Sequence, residues 1–158
     1  AKLNIHVGAA YGDKPFALDN FCRNFERLPE NVRSRLTVEN DDKESLYSTL
    51  ELYEGVYKRI GIPIVFDYHH HMLHTGGQTE QEALELALST WGNIKPVVHY
   101  SESRCLEHNN PKIKPQAHSD LVYSTLNDYG NEFDIMIEAK HKELALQKYR
   151  ILLEQKGA

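Results

Sequence analysis

A partial parallel α/β barrel is the fold class this sequence predicts, and three observations point to it. Short apolar runs alternate with longer amphipathic ones from end to end, the rhythm of successive βα units. The run Ile62–Asp67 (IPIVFD) is nearly all apolar, as a strand covered on both faces of a parallel sheet must be. Several strand-like runs close on a side chain able to ligate a metal, namely His6, Glu39, Asp67, His99 and Glu138. In a parallel barrel the carboxyl ends of the strands open onto one mouth, so residues far apart in sequence become neighbours there.

Taken in order, Leu3–Val7 reads as a strand and Gly8–Lys14 as a loop. A helix is expected over Pro15–Leu28, with Phe16, Phe21, Phe25 and Leu28 along one side and Pro29 as its stop. Strand Arg35–Glu39 leads into Asn40-Asp41-Asp42, whose side chains can cap a helix from about Lys43 to Ile60, ended by Gly61. Strand Ile62–Asp67 is followed by the loop HHHMLHTGG. Thr79, with Glu82 three residues on, caps a helix over Glu80–Trp91. Strand Lys95–Tyr100, a polar loop through Asn109-Asn110-Pro111, a possible sixth short strand near His118 and a helix over Asp120–Tyr129 come next. Strand Phe133–Ala139 and a helix over His141–Gln155 complete the pattern.

With no linker and no low-complexity stretch, residues 1–158 are expected to form a single domain of five or six βα units. A closed barrel of this type needs eight strands and about 250 residues. The opening directly on a strand therefore reads as a cut, with partner strands expected from upstream sequence or from a second copy. Open sheet edges make self-association an expectation.

The net charge of -5 and the lack of a basic block argue against a bulk electrostatic grip on DNA or membrane. Bound divalent cations would reverse the sign locally, so nucleic acid stays open as a partner. Cys22 and Cys105 have no metal-like spacing and read as unpaired packing cysteines of a reducing interior. No apolar run approaches the ~20 residues of a membrane span, and no charged leader precedes an apolar stretch, so no membrane partner is expected. A cytoplasmic location is the expectation, nucleoid-associated in a bacterium or nuclear in a eukaryote.

Asp67-Tyr68-His69-His70 is the most specific local constellation, because a carboxylate and an imidazole three residues apart just past a strand can face neighbouring divalent ions. Asp67 and His70 are the preferred ligands, with His69, His71 and His74 as alternatives in the same loop. In L-T-V-E-N, Leu36 and Val38 share one face while Thr37 and Glu39 share the other. An inward-facing Glu39 would be a buried charge that a cation must compensate. Glu138 in I-M-I-E-A follows the same logic. His6 and His99 lie in apolar strands, where a lone histidine is ordinarily a core group; beside three carboxylates at equivalent strand ends they read as ligands. His118, with Asp120 two residues on, is a further candidate. Lys140, Lys142 and Arg104 follow strand ends and could hold phosphate oxygens, or could be solvated helix-start charges. The Gly8–Lys14 loop lacks nucleotide-binding glycine spacings, and no G-x-S-x-G elbow is present.

Together I-H-V-G-A-A-Y-G-D-K (from Ile5), R-L-T-V-E-N-D-D (from Arg35), I-P-I-V-F-D-Y-H-H (from Ile62), V-H-Y-S-E-S (from Val98), A-H-S-D (from Ala117) and D-I-M-I-E-A-K-H-K (from Asp134) resemble the carboxyl-terminal half of the UV damage endonuclease family, in family order. The resemblance implies a TIM-barrel metallonuclease, related in site layout to endonuclease IV and more distantly to xylose isomerases. It implies DNA repair by nicking damaged double-stranded DNA 5′ of UV photoproducts, with up to three divalent ions, Mn2+ foremost and Zn2+ or Mg2+ as alternatives. On the matching positions, Glu39 resembles the carboxylate bridging two metals. Asp67, His99 and Glu138 resemble the other ligands of the second ion, His6 contributes to the first, and His70 with His118 to a third. Glu39 and Glu138 are the carboxylates assigned to catalysis.

The family's first half, with further histidines and the residues that probe the lesion, is expected to lie outside this sequence. A family site lysine two residues before the strand histidine is Val97 here. Two rival readings use the same ligands: a xylose-isomerase-like sugar isomerase or epimerase, and a metal-binding remnant without turnover.

Overall fold

The computed structural model describes residues 1–157. Five parallel strands, β1 (Leu3–Ile5), β2 (Leu36–Glu39), β3 (Ile64–Asp67), β4 (Val97–Tyr100) and β5 (Asp134–Ile137), lie side by side in sequence order and form a half-barrel. Register is continuous across the sheet, with Ile5 opposite Val38, Glu39 opposite Val65, Asp67 opposite His99 and His99 opposite Met136. The residues that end the strands therefore gather along the carboxyl edge of the sheet, Asp67 and His99 level with each other and Glu39 one rung lower.

β2 and β3 are buried at every position. Val38, Ile64, Phe66 and Val98 meet Leu52, Val56, Leu84 and Ala87 from the helices in one apolar core. The outer strands differ. Leu3 on β1 is 51% exposed and Met136 on β5 is 54% exposed, because neither edge has a neighbour among the described residues.

α1 (Lys14–Glu26) starts where expected, with Asp13 accepting from the Phe16 amide. Only part of its expected apolar side is covered: Phe25 is buried and Phe21 packs on the core, while Phe16 and Leu28 are exposed. A short α2 (Glu30–Arg33) precedes β2. The helix expected from Lys43 begins instead at α3 (Thr49–Leu52), where Ser48 and Glu51 form a reciprocal capping box. It continues through a π-helical turn, Tyr53–Tyr57, into α4 (Lys58–Ile60), and Gly61 ends it at φ 71°. The π turn lies where α1 comes closest, since a Cβ on Gly55 would stand 2.6 Å from Leu18 Cδ1.

The histidine run after β3 is a helix, α5 (Tyr68–Leu73), in place of the expected loop. Thr79 and Glu82 do cap α6 (Glu80–Leu88), which closes in a 3-10 turn over Ser89–Trp91. The polar loop after β4 holds a short α7 (Arg104–Glu107).

Two expectations fail in the segment between α7 and β5. The sixth strand is an isolated antiparallel bridge between Ser103 and His118, and Asp120–Tyr129 is not helical. Carboxylates replace the helical hydrogen bonds there: Glu107 accepts from the amides of Asp120 and Leu121, and Glu102 from those of Tyr123 and Ser124. The last helix, α8 (Lys142–Gly157), covers β5 and buries Ala145 and Tyr149. No helix among the described residues is long and apolar enough to cross a membrane.

Candidate metal centre

The gathered strand ends bring Glu39, Asp67, His70, His99 and Glu138 into one cluster, with His6 at its side. His6 follows β1; its Nε2 is 2.9 Å from Glu39 Oε1 and its Nδ1 2.7 Å from Asp41 Oδ1. Asn4 also holds Glu39 Oε1, donating from Nδ2 at 2.9 Å while its own Oδ1 accepts from Thr37 Oγ1. One Glu39 oxygen is thus fully engaged, which turns the other inward. Glu39 Oε2 lies 3.3 Å from His99 Nδ1 and 3.7 Å from His70 Nδ1. Asp67 Oδ1 caps α5 by accepting from the His70 amide, and Oδ2 lies 3.5 Å from His70 Nδ1 and 3.9 Å from His99 Nδ1. His99 Nδ1 is 3.4 Å from Glu138 Oε1.

Glu39 Oε2, Asp67 Oδ2 and His99 Nδ1 are buried, and none has a hydrogen-bond partner among the described residues. At 3.3 Å the His99–Glu39 pair attracts electrostatically but is misaligned for a hydrogen bond. A buried carboxylate oxygen left unpartnered is costly, and three such atoms facing one another need a common explanation. A divalent cation supplies one. Two ligand atoms each about 2.1 Å from an ion, at angles of about 90–110°, stand roughly 3.0–3.4 Å apart, close to the separations seen. The set Asp67–His99–Glu138 can surround an ion, and Glu39–Asp67–His70 is a second close group in which the near nitrogen, His70 Nδ1, also lies 2.8 Å from the Asn40 carbonyl. The donor set of carboxylate and imidazole suits Mn2+ or Zn2+, so the residues present fit a divalent metal.

The electrostatics agree with this. Burial pushes the Asp67 carboxyl up to about 7, reinforced by the charges on Glu39 and Glu138 and opposed by His70. Burial also acts against ionised Glu39, but the close contact with His6 and the positive charge on His6 and His99 more than offset it and hold Glu39 below the usual carboxylate range. The contacts with Asp41 and then Glu39 raise His6 to about 10. His99 is raised above the ordinary histidine range, its burial being outweighed by Glu39, Glu138 and Asp67. Cation binding at this cluster would compete with the protons that the shifts on Asp67, His6 and His99 favour.

The other sequence candidates are dispersed around this cluster. His118 lies beside His69, the two rings 6.0 Å apart and edge to face. Both His69 nitrogens are buried and unpartnered, with the Pro115 carbonyl near but poorly aligned, and burial lowers its pKa, helped by His118 and His70. His71 packs on Phe66 in the core and His74 is buried. Of the three cationic candidates, Lys140 lines an open cavity of about 440 Å³ with His118 and Glu138. Lys142 lies along the apolar edge of β5, beside Val97 and Met136. Arg104 faces Asp120 at 4.0 Å.

A further carboxylate–imidazole group, Glu107–His108–Asp120, sits on the outer surface with His108 exposed, and backbone amides already occupy Glu107. A cavity of about 480 Å³ at the opposite end of the strands, lined by Leu36, Ile62 and Trp91, is remote from the cluster. Sequence reasoning missed three contributors: Asn4, Asn40 and Asp41. Asn4 carried a signal, since it stands two residues before His6 on the same strand face. Asp41 was masked by its suitability as a helix cap.

Half a parallel barrel, with carboxylates and imidazoles gathered at the carboxyl ends of its strands, defines a TIM-barrel-like protein with a polar strand-end centre. The family model described as UV-endonuclease UvdE matches residues 1–156, and the chain belongs to that family. A UV DNA damage endonuclease of Bacillus cereus (strain B4264) is 38% identical over 154 residues, covering 91% of this chain and 46% of that protein. One of Bacillus mycoides (strain KBAB4) is 36% identical over the same span. Among solved structures, the one titled "Crystal Structure of SacUVDE" superposes with a TM-score of 0.80 at 34% identity, covering 98% of this chain and 52% of that one. The chain spans about half the length of the relatives it matches.

Proposed function

We propose that this chain carries a divalent-metal centre of a DNA repair endonuclease that nicks damaged double-stranded DNA 5′ of UV photoproducts. The observation that carries the reading is the convergence of three unpartnered buried atoms, Glu39 Oε2, Asp67 Oδ2 and His99 Nδ1. Family membership supports the substrate, since relatives bear the name UV DNA damage endonuclease. Mn2+ is the preferred ion, with up to three bound, and Zn2+ or Mg2+ as alternatives.

Glu39, Asp67, His99 and Glu138 would hold one ion; Glu39 would also serve a second beside His6, and His70 with His118 a third. The chemistry such ions supply when bound is activation of water and neutralisation of charge developing on a phosphodiester. Glu39 and Glu138 are the carboxylates assigned to the reacting atoms. Asp41 and Asn4 keep His6 and Glu39 oriented, so that little reorganisation is required when substrate arrives. Lys140 is assigned to a phosphate oxygen flanking the cut, by a charge-assisted hydrogen bond. Weakened pairing at the lesion would lower the cost of extruding damaged bases toward the mouth.

The test is conversion of supercoiled plasmid to nicked circles. The expected result is nicking of ultraviolet-irradiated plasmid with Mn2+ present, and none on unirradiated plasmid or after chelation. Equal nicking of both plasmids, or nicking unaffected by chelation, would overturn the reading.

A further inference from the structure

The last matched pair of the β2–β3 ladder is Glu39 opposite Val65, one rung short of the metal-centre residues on β3. Beyond it the side chain of Asn40 substitutes for backbone. Its Oδ1 accepts from the Asp67 amide at 2.8 Å and its Nδ2 donates to the Asp67 carbonyl at 3.0 Å. A single carboxamide thus satisfies both main-chain groups of Asp67, as a neighbouring strand would. The Asn40 main-chain carbonyl, in turn, accepts from His70 Nδ1 at 2.8 Å. A carbonyl can only accept, so Nδ1 carries the proton and Nε2 is the His70 nitrogen free to bind a cation.

Asn40 is fully buried, and no group of the proposed reaction requires it directly. We infer that Asn40 is a positioning residue of the metal centre: its carboxamide extends the sheet by one rung and fixes Asp67, while its carbonyl sets the orientation of His70. The inference rests on the metal reading above and adds to it a cause for the pre-formed geometry. Partners of this kind, which touch a ligand rather than the ion, typically alter metal affinity about 10- to 100-fold when removed.

Loss of two buried hydrogen bonds also affects stability, so a control on the same strand is needed. Trp91 donates from Nε1 to the Ile64 carbonyl at 2.8 Å, at the opposite end of β3. Trp91→Phe should weaken the fold while leaving the metal centre untouched.

Mn2+ affinity, read by electron paramagnetic resonance of the free ion, is compared for the wild type, Asn40→Ala, Asn40→Asp and Trp91→Phe, each confirmed folded by circular dichroism. Exchange of the Asp67 amide is followed in parallel without metal. Asn40→Ala is expected to bind Mn2+ at least tenfold more weakly and to exchange the Asp67 amide at least tenfold faster. Asn40→Asp keeps the acceptor for that amide and should retain its protection. Trp91→Phe should match wild-type affinity within about twofold. Unchanged affinity or unchanged exchange in Asn40→Ala would overturn the inference, as would an equal loss in Trp91→Phe. A wild type that takes up no Mn2+ would instead overturn the metal reading, while the exchange result would still decide the clamp.

Discussion

Glu39 divides its two oxygens between two neighbours: Oε1 lies 2.9 Å from His6 Nε2, and Oε2 lies 3.3 Å from His99 Nδ1 without a hydrogen bond. A carboxylate that faces an imidazole on each side is placed to join two cation positions, one beside His6 and one beside His99. Glu39→Gln keeps the shape but places an amide where a negative charge is needed. It is expected to lower kcat/KM on irradiated plasmid by a factor of about 10³ or more with little change in folding, as measured by nicking kinetics and circular dichroism.

Asp67 is fully buried, and its raised pKa marks a site where negative charge is disfavoured without metal. Asp67→Asn can still accept the His70 amide and adds a donor toward Glu39 Oε2. At pH 8 without metal the variant should be more stable than wild type by about 1–3 kcal/mol, read by chemical denaturation, and should lose Mn2+-dependent stabilisation. A metal-free variant less stable than wild type would contradict the burial argument.

Stability without metal should depend on pH with a definite sign. Asp67 and His6 bind protons more tightly folded than unfolded, Asp67 up to about 7 and His6 up to about 10. Their contributions are fully present below the ordinary values of about 4 and about 6.5, and are lost as pH rises from there through 7 and 10. Glu39 acts oppositely, losing its contribution as pH falls below the usual carboxylate range. The midpoint of urea denaturation should therefore fall between pH 6 and pH 9, and Mn2+ should reverse much of that fall by displacing protons. Calorimetry in buffers of different ionisation enthalpy should register proton release on Mn2+ binding.

Lys140 shares a cavity with His118 and Glu138, whereas Lys142 borders the β5 edge and Arg104 faces Asp120. Lys140→Ala should weaken activity on irradiated DNA about tenfold and make its dependence on salt shallower by about one ion. Lys142→Ala and Arg104→Ala should change it less than threefold. Equal losses in all three would indicate a diffuse electrostatic surface.

The start of α3 is fixed by the Ser48–Glu51 capping box, and Gly76 comes against it. A Cβ on Gly76 would stand 2.5 Å from both Cβ and Oγ of Ser48, at a backbone φ of +61°. Thermal denaturation should show Gly76→Ala destabilising by about 2 kcal/mol or more, against about 1 kcal/mol for Ser48→Ala.

Much of the strand pattern was legible because short apolar runs alternate with amphipathic ones and Ile62–Asp67 bears the mark of burial on both faces, and α6 because Thr79 and Glu82 signal locally. The start of α3 is obscured in sequence because Asn40-Asp41-Asp42 resembles a cap. Its Asp41 is drawn instead to His6 and to the Tyr47 amide, a demand that exists only in three dimensions. The helix expected over Asp120–Tyr129 failed for a similar reason, since Glu102 and Glu107 take its amides from outside. The histidine run looks like a loop in sequence because the capping role of Asp67 is hidden behind its value as a ligand. His69 beside His118 had no signal beyond its place in that run.

Where cations sit is the most direct test of the metal centre. Crystals grown with Mn2+ and measured on both sides of the manganese absorption edge should give an anomalous peak bounded by Glu39 Oε2, Asp67 Oδ2 and His99 Nδ1, lost in Glu39→Gln. A peak confined to the Glu107–His108–Asp120 group, or no peak at saturating Mn2+, would contradict it.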